Sequence, residues 1–393
     1  MEYRLARAAT FVLAGALLHA GVLAHDSGLS NGVFRSRDGG ATWLQLDAGS
    51  FANGALALAV HPTNAHRLLL ATDGGLLSSR NGGRDWETEA SDVLSGPAFA
   101  VAFDLQGAEA MVSGANALYR FDGNRWRATR TPAGSAPARV LASGGVAGRA
   151  YLAGWTGLHR TDNWGRSWTR VGKEIDAEYV SALAISANRP DDIHALAGGR
   201  VWTSTDGARS WRVDEGTPQT ADALAFDRTV PTRLWIVAAG RAYRKHDRAS
   251  RWEPVGAPIP DPQAKARGID VLNDAMVIST DRGVFRSLDA GASWALLSAE
   301  LPSHVEATLL LRDPHTPDTI YAGFSRLGPE QLQAVLLTPD QSFARSDVAL
   351  LLGAYAGFAL FVVGVGVIVR RMTRPDTATK ADRAIDDMRA ESP

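Results

Sequence analysis

The segment Ser36–Trp43 reads Ser-Arg-Asp-Gly-Gly-Ala-Thr-Trp, and copies of it recur along the chain with their tryptophans 40 to 43 residues apart. A fixed interval of this length is typical of proteins in which each repeat is one supersecondary unit. The interval therefore predicts a repeat architecture. The residue pairs that mark the seven copies are Asp38 and Trp43, Asn81 and Trp86, Asp122 and Trp126, Asn163 and Trp168, Asp206 and Trp211, Asp247 and Trp252, and Asp289 and Trp294.

Each copy predicts a hairpin turn. The Asp or Asn side chain accepts hydrogen bonds from backbone N–H groups of the turn, glycine supplies a positive φ, and the Trp folds back as an apolar plug. Seven calcium or sugar sites are the alternative interpretation. The structural role is favoured, because the turn itself uses the oxygen atoms that a ligand would need.

The residues between the copies predict short strands. An alternating apolar segment such as Gly32–Ser36 precedes each copy, and an earlier hairpin such as 56–71 completes four strands per period. The first copy, at 31–46, has no earlier hairpin, whereas the last hairpin, at 306–322, has no later copy. Joined together, these halves form a composite closing blade. The sequence thus predicts an all-β, seven-bladed propeller of four-stranded blades over residues 26–335.

The two ends predict membrane targeting. Residues 1–24 have the basic start, apolar run and small residues of a signal peptide, or else form an uncleaved signal anchor. A linker, 336–347, leads to 348–369, which is uncharged and long enough for a transmembrane helix. Arginines open the tail, 370–393, and so predict a cytoplasmic C-terminus. We expect a bacterial inner-membrane protein with its propeller in the periplasm.

Composition excludes several classes of protein. The chain has 393 residues, no cysteine, and 41 basic against 42 acidic residues. A balanced charge argues against a nucleic-acid binder, which needs a basic surface. Without cysteine there are no disulfides, thiolate metal sites or cysteine nucleophiles. The nine histidines are scattered, and we expect no metal, no cofactor and no small-molecule substrate.

Four arginines and one tryptophan are the candidate partner-binding residues. Arg200, Arg241, Arg282 and Arg326 fall at or beside the same corner of four consecutive blades. Together they would form a basic patch for carboxylates or an acidic peptide; as an alternative, they are separately solvated. Trp155 lies outside the repeated turns, either as a contact anchor or buried between blades.

A second set of arginines recurs eight residues before its tryptophan. We interpret these side chains as covering apolar surface with their stems and assign them no function. They are Arg35, Arg160, Arg244 and Arg286.

The repeated turn resembles the Asp-box, or BNR, repeat, Ser/Thr-x-Asp-x-Gly-x-x-Trp. A single exported seven-bladed propeller of this kind is similar to the photosystem II stability and assembly factor family. That resemblance implies a non-catalytic protein that binds membrane-protein subunits through a basic surface. We therefore expect a membrane-anchored, protein-binding scaffold, an assembly factor or accessory subunit of a membrane complex, that is not an enzyme. A sortilin-like binding receptor is an alternative.

A glycoside hydrolase is the enzymatic alternative. Sialidases also carry Asp boxes, but on six blades with an Arg-Ile-Pro motif that this sequence lacks. A pair of carboxylates could still cleave glycosides. The one dense acidic loop cluster comprises Glu174, Asp176 and Glu178 beside Tyr179, and we interpret it as a solvated loop.

Overall fold

The computed structural model describes residues 31–47, 53–154, 157–175, 179–218, 220–227, 233–246 and 251–337. The predicted signal segment, transmembrane helix and tail lie outside these ranges. Among the described residues, no helix is long and apolar enough to cross a membrane. One compact unit extends through Ala334, and a second begins at Val335.

The described residues form seven antiparallel sheets of four strands each, which confirms the predicted propeller. We number the blades from the first complete one, and strands are given from the innermost outward. Blade 1 is β3 (Ala55–Val60), β4 (Leu68–Thr72), β5 (Gly75–Ser79) and β6 (Glu87–Glu89). Blade 2 is β7 (Ala98–Phe103), β8 (Ala110–Gly114), β9 (Leu118–Phe121) and β10 (Trp126–Thr129). Blade 3 is β11 (Ala138–Ser143), β12 (Ala150–Gly154), β13 (Gly157–Thr161) and β14 (Thr169–Val171). Blade 4 is β15 (Val180–Ile185), β16 (Ile193–Ala197), β17 (Arg200–Ser204) and β18 (Arg212–Val213). Blade 5 is β19 (Ala221–Phe226), β20 (Arg233–Ala238), β21 (Arg241–His246) and β22 (Glu253–Val255). Blade 6 is β23 (Ala266–Leu272), β24 (Ala275–Thr280), β25 (Gly283–Ser287) and β26 (Ala295–Leu296). The composite blade is β27 (Glu306–Arg312), β28 (Ile320–Ser325), β1 (Gly32–Ser36) and β2 (Leu44–Gln45).

The composite blade closes the ring as predicted. Strand β1 pairs with β28 in an antiparallel register that runs from Gly32 opposite Phe324 to Ser36 opposite Ile320. Phe34 and Phe324 meet edge to face, with ring centroids 5.4 Å apart. Pairing the two ends of the propeller in one sheet leaves no long exposed strand edge. A helix, α1 (Pro329–Leu337), follows this blade.

The apolar cores lie between neighbouring blades. One cluster joins Leu69 and Leu76 of blade 1 to Val112 and Trp126 of blade 2. The other large clusters likewise draw residues from two adjacent blades. Burial of the innermost and middle strands on both faces explains their nearly continuous apolar sequences.

The repeated turns, here called box turns, have the geometry expected from the sequence. The Asp38 Oδ1 atom accepts hydrogen bonds from the backbone N–H groups of Ala41 and Thr42, both at 2.9 Å. Hydrogen bonds from the hydroxyl and backbone N–H of Ser293, together with the Ser287 hydroxyl, lower the pKa of Asp289 to about 2. The carboxylate oxygens are therefore occupied by hydrogen bonds within the turn. Asp247 lies outside the described residues.

The tryptophans of the box turns fold back onto the turn or its neighbour. The Trp43 Nε1–H donates to the Gly40 carbonyl at 3.1 Å, and the Trp211 Nε1–H donates to Ala208 at 3.2 Å. In the copy marked by Asp122 and Trp126, which lie one residue closer together than the pairs of the other copies, the Trp126 Nε1–H instead donates to the Glu89 carboxylate of blade 1 at 2.7 Å.

Two of the recurrent third-strand arginines join one blade to the next. The Arg35 Nη1 donates to the Gly82 carbonyl at 2.6 Å, and the Arg160 Nη1 donates to the Gly207 carbonyl at 2.8 Å. Each acceptor belongs to the box turn of the following blade. Beyond covering apolar surface with their stems, these two side chains therefore connect blades through their charged ends.

Each innermost strand carries a register shift near its start, at the second residue of six strands and at the third residue of β27. One extra residue there is left unpaired by the neighbouring strand, which is the definition of a β-bulge. The seven bulges repeat at the same height and form a ring, here called the bulge ring. Its members are Leu56, Phe99, Arg139, Ser181, Asp222, Arg267 and Thr308.

Candidate functional site at the channel mouth

The innermost strands surround a central channel that contains a cavity of about 290 Å³. Four members of the bulge ring line it, namely Leu56, Arg139, Arg267 and Thr308, together with apolar residues deeper in the strands. Bulges redirect side chains and are common beside binding sites. The bulge ring therefore sets the chemistry of the channel mouth.

The bulge ring has an apolar side and a polar side. Leu56 and Phe99, from blades 1 and 2, form one apolar cluster with Leu332 of α1. The other five members are polar or charged, and they come from blades 3 to 6 and the composite blade. Leu332 covers the apolar side, so a ligand at the mouth would meet the polar and charged members, beginning with Arg139 on the blade next to Phe99.

Helix α1 contributes a carboxylate as well as an apolar contact. The Glu330 Oε1 atom lies 3.5 Å from the Nε of Arg139. It also accepts a hydrogen bond from the Tyr179 hydroxyl at 3.5 Å. With Leu332 seated on the apolar side, the helix contacts both sides of the bulge ring.

The Nε atoms of the two arginines in the ring lie close to carboxylate oxygens, but their N–H groups are not aligned to form hydrogen bonds with them. The Arg267 Nε lies 2.8 Å from the Glu306 Oε1. Nevertheless, among the described residues, the buried Nε atoms of Arg139 and Arg267 and the Oε1 of Glu306 have no hydrogen-bond partner. A buried donor without an acceptor costs about 1–3 kcal/mol. A ligand oxygen placed at the mouth would recover part of that cost.

Burial changes the acidity of three groups at the mouth. It raises the pKa of Glu306, although the charge of Arg267 opposes the shift. It also raises the pKa of Asp222, against the charges of Lys265 and Arg267. The pKa of the Tyr179 phenol rises for the same reason. Carboxyl groups of this kind can hold a proton closer to neutral pH than exposed ones.

The predicted arginine patch falls on four separate blades. Arg200 is exposed and lines a cavity of about 180 Å³ with Asp214 and Glu215. Arg282 donates to the Gln263 side chain at 2.9 Å and lies 3.9 Å from Asp261.

The remaining members of that prediction are also separate. The Arg241 Nε is buried without a hydrogen-bond partner among the described residues. Arg326 is exposed, and its backbone N–H donates to Asn31. A common patch stays a prediction, as does a role for Trp155, which lies outside the described residues.

The acidic cluster considered for catalysis is only partly described. Glu174 is exposed in a single 3₁₀ turn, Lys173–Ile175, and Asp176 and Glu178 lie outside the described residues. Tyr179 lies at the channel mouth. No group of three or more His, Asp or Glu side chains within the described ranges is placed to hold a metal ion.

Sequence reasoning missed the charged residues of the channel mouth. One signal was present. An alanine precedes the bulge residue in six of the seven innermost strands, and Val180 takes its place in the other. The residue after this small apolar one is the bulge residue in every blade, so aligning the repeats at this position would have found Arg139, Asp222 and Arg267.

No family model matches the chain. Two curated relatives share part of it. A xyloglucanase from Paenibacillus is 23% identical over 225 residues, which are 52% of this chain and 21% of the relative. A probable oligoxyloglucan-reducing end-specific xyloglucanase from Neosartorya fischeri is 24% identical over 217 residues, 49% of this chain and 25% of the relative. The matches thus span about a fifth to a quarter of the relatives' length.

Solved structures show the same fold. A structure described as YCF48 bound to D1 peptide has a TM-score of 0.54 at 17% identity, with 70% of this chain and 92% of that one covered. YCF48 from Cyanidioschyzon merolae has a TM-score of 0.53 at 15% identity, with 71% of this chain and 96% of that one covered. A GH74 xyloglucanase from Xanthomonas campestris has a TM-score of 0.56 at 17% identity, with 70% of this chain and 51% of that one covered.

These comparisons correct one expectation. We predicted that the protein is not an enzyme, and the two curated relatives, both named xyloglucanases, contradict that prediction. Sequence reasoning set enzymes aside because no known catalytic motif was visible. Carboxylates supplied by different blades form no local motif, so that reasoning could not detect them.

Proposed function

We propose that the propeller binds a segment of a partner protein at the channel mouth and serves as an assembly or stability factor for a membrane complex. The observation that carries this proposal is the pair of buried, unsatisfied Nε–H groups of Arg139 and Arg267 at the channel mouth. A carboxylate of a bound peptide would accept hydrogen bonds from these groups, and an apolar side chain would contact Leu56 and Phe99 only by displacing Leu332. The likeness to a YCF48 structure bound to D1 peptide supports a peptide ligand.

The corner arginines have a secondary part in this proposal. Arg241 and Arg282 begin or precede third strands of neighbouring blades, at turns between the second and third strands. We infer that an acidic partner segment extends from the mouth toward these corners. The box turns, which use their own carboxylates, take no part.

Capture of a partner tests the proposal. The tagged full chain is extracted with mild detergent, and we expect a membrane complex to copurify in stoichiometric amount. Arg139→Gln should reduce its recovery at least fivefold, and the double change Arg241→Glu with Arg282→Glu should also reduce it. Arg212→Glu, on the exposed outer strand β18, is the matched control. Recovery equal to wild type in the Arg139 variant would contradict the proposed site.

Glycoside hydrolysis is a second candidate function. The curated xyloglucanases support it, as do two half-buried carboxyl groups at the mouth whose pKa values are raised, Glu306 and Asp222. A carboxylic acid that keeps its proton is what a glycosidase needs as general acid. Glu306 would protonate the leaving oxygen, and Asp222 would act as the second carboxylate.

Hydrolysis of a glucan panel that includes xyloglucan tests this candidate. If the full chain is active, Glu306→Gln and Asp222→Asn should each lower kcat at least a hundredfold while the thermal melt stays within a few degrees of wild type. Asp261→Asn, at a half-exposed corner away from Glu306 and Asp222, should leave turnover unchanged. Absence of turnover on the whole panel, with a correctly folded protein, would reject hydrolysis.

We also propose a bitopic topology, with a signal at 1–24, a span at 348–369 and the propeller in the periplasm. Sequence alone supports this proposal. Alkaline phosphatase fused after residue 337 should be active in bacteria, and a fluorescent protein fused after Pro393 should fluoresce in the cytoplasm. The reverse pattern would reject this topology.

A further inference from the structure

A second cavity, of about 370 Å³, opens between the composite blade and blade 1 at the end of the ring that carries the box turns. It is separate from the channel mouth, and its volume is in the range of small-molecule sites. We call it the arginine cavity. Its charged and polar lining includes Arg35, Arg37, His66, Arg84, Asp313 and Tyr321.

Arg35 forms the buried part of the arginine cavity. Its side chain is buried, and its Nη1 donates to the Gly82 carbonyl. Burial lowers the pKa of Arg35, and the positive charges of Arg37 and Arg84 lower it further, against the effect of Tyr321. Three guanidinium groups therefore face one space and repel one another.

The corresponding junction between blades 3 and 4 shows one way in which this fold balances such a charge. There Arg160 occupies the position of Arg35 and makes the same contact with the next blade. Asp162 accepts hydrogen bonds from the Nε of Arg160 at 3.0 Å and from its Nη2 at 2.6 Å. Asp191 accepts one from Arg149 at 2.6 Å.

Both of those carboxylates are replaced in the arginine cavity. Arg37 follows β1 directly, as Asp162 follows β13, and His66 lies two residues before β4, as Asp191 lies two residues before β16. The fold is the same at both junctions. The arginine cavity thus lacks the carboxylate that balances its buried arginine and carries a cation there. It also lacks the Asp191–Arg149 pair, whose two positions hold His66 and Thr319.

The acidic group of the lining, Asp313, offsets at most one of the three guanidinium charges, and its oxygens are already hydrogen-bonded to neutral donors. The Asp313 Oδ1 accepts hydrogen bonds from the backbone N–H groups of His315 and Thr316, at 2.7 and 3.1 Å. Its Oδ2 accepts one from the Tyr321 hydroxyl at 3.1 Å. In the part of the chain that the structure describes, Arg35, Arg37 and Arg84 form no ion pair.

We propose that the arginine cavity is a binding site for a phosphate group, either the free ion or the phosphate of a small metabolite. Guanidinium groups present paired N–H donors whose spacing matches two phosphate oxygens. The ligand would take the place that Asp162 and Asp191 occupy at the other junction. Arg35 would bind it at the base, with Arg37, Arg84 and His66 at the rim.

Binding of phosphate to the full chain in detergent tests the proposal. Inorganic phosphate and glycerol 3-phosphate are titrated separately by calorimetry at constant ionic strength, and we expect saturable binding of at least one. Arg37→Asp restores the carboxylate found at Asp162 and should weaken binding at least tenfold. His66→Asp restores that of Asp191 and is expected to weaken it similarly. Arg37→Asp should fold, because the pair it creates with Arg35 already exists as Arg160 with Asp162 between blades 3 and 4. A thermal melt checks that His66→Asp, which lacks the Arg149 partner of Asp191, also folds.

Arg212→Asp is the matched control, since it makes the same change of charge on the exposed strand β18. Its affinity for phosphate should equal that of wild type. Tighter binding of glycerol 3-phosphate than of the ion would identify a phosphorylated metabolite as the ligand, and equal binding would show that the ion suffices. Failure of both probes to saturate, or full affinity in Arg37→Asp and His66→Asp, would overturn the proposal.

Discussion

Single residues at the blade junctions control how closely two blades approach. Gly256 has a φ of +61°, and a Cβ atom there would overlap the backbone carbonyl of Gly291 in the next box turn. Gly96 has a φ of +83°, but a Cβ atom added there would have no other atom within 4 Å. Comparison of the two separates the cost of the backbone conformation from the cost of the contact.

We expect Gly96→Ala to lower the free energy of unfolding by about 1–2 kcal/mol, the cost of a left-handed alanine. Gly256→Ala should cost roughly 1–3 kcal/mol more, because the blades must also move apart. Chemical denaturation of both variants measures the difference. Equal losses in the two variants would show that the junction yields without cost.

His194 predicts a dependence of stability on pH. It lies in β16 with its Nδ1 3.0 Å from the Thr203 hydroxyl, and burial, with a smaller contribution from Lys245, lowers its pKa to about 4. The unfolded chain, with an ordinary histidine pKa near 6.5, binds a proton first as the pH falls. Stability should therefore fall between pH 6.5 and 4.

Wild type should lose on the order of 1–2 kcal/mol relative to His194→Gln between pH 7.5 and pH 5. Urea titrations of both proteins at the two pH values measure the difference. Parallel pH profiles would contradict a buried, neutral histidine.

The sequence was most informative where the interaction is local. Asp38 and the backbone groups it binds lie within five residues, so the motif alone predicted the turn. Arg139 and Glu330 are far apart in sequence, and their contact depends on closure of the ring. The acidity of Glu306 depends on burial by other blades. No local pattern carries either property.

At the scale of elements, helix α1 contacts the channel mouth through Leu332 and Glu330. Leu332 is 9% exposed and packs on Leu56 and Phe99, while Glu330 contacts Arg139. The strands and the box turns were predictable from the alternation of apolar and polar residues and from the spacing of the tryptophans. The bulges were not, because a bulge is defined by the register of two strands rather than by the residues of one.

Leu332→Ser should detach α1 from the mouth. Because a short terminal helix can open without the rest of the fold, we expect the amides of 332–337 to lose protection from hydrogen exchange, with global stability changed by less than about 1 kcal/mol. Leu327→Ser, at an exposed position just before the helix, is the control. Undiminished protection of the helix in Leu332→Ser would mean that it is held by other contacts.

At the scale of the whole molecule, ring closure depends on β1, because no short turn joins it to β28. Phe34 in β1 and Phe285 in β25 occupy equivalent positions and are both buried, 1% and 3% exposed. Alanine at either should cost about 3–5 kcal/mol. Their consequences should nevertheless differ, since β25 is held by a two-residue turn.

We expect Phe34→Ala to release residues 31–47 before the rest of the propeller unfolds, and Phe285→Ala to unfold in one step. Limited proteolysis at rising urea, followed by mass spectrometry, distinguishes the two. Cleavage of both variants at the same urea concentration would show that the composite blade opens no more easily than a continuous one.

The repeat interval and the two half copies were enough to predict the number of blades and their closure. Function did not follow in the same way, because propellers with this fold include both YCF48 and a GH74 xyloglucanase. What distinguishes such proteins lies in residues that vary between repeats. A pattern that identifies what the repeats share does not detect those differences.

The bulge ring places one side chain from each blade around the channel. Because the bulge residue is unpaired in the backbone ladder, exchanges at Arg139, Asp222 and Arg267 should disturb the sheets less than exchanges at Ser181 or Thr308, whose hydroxyls donate to neighbouring strands. Natural descendants or engineered libraries could therefore acquire new ligand preferences by altering one blade at a time.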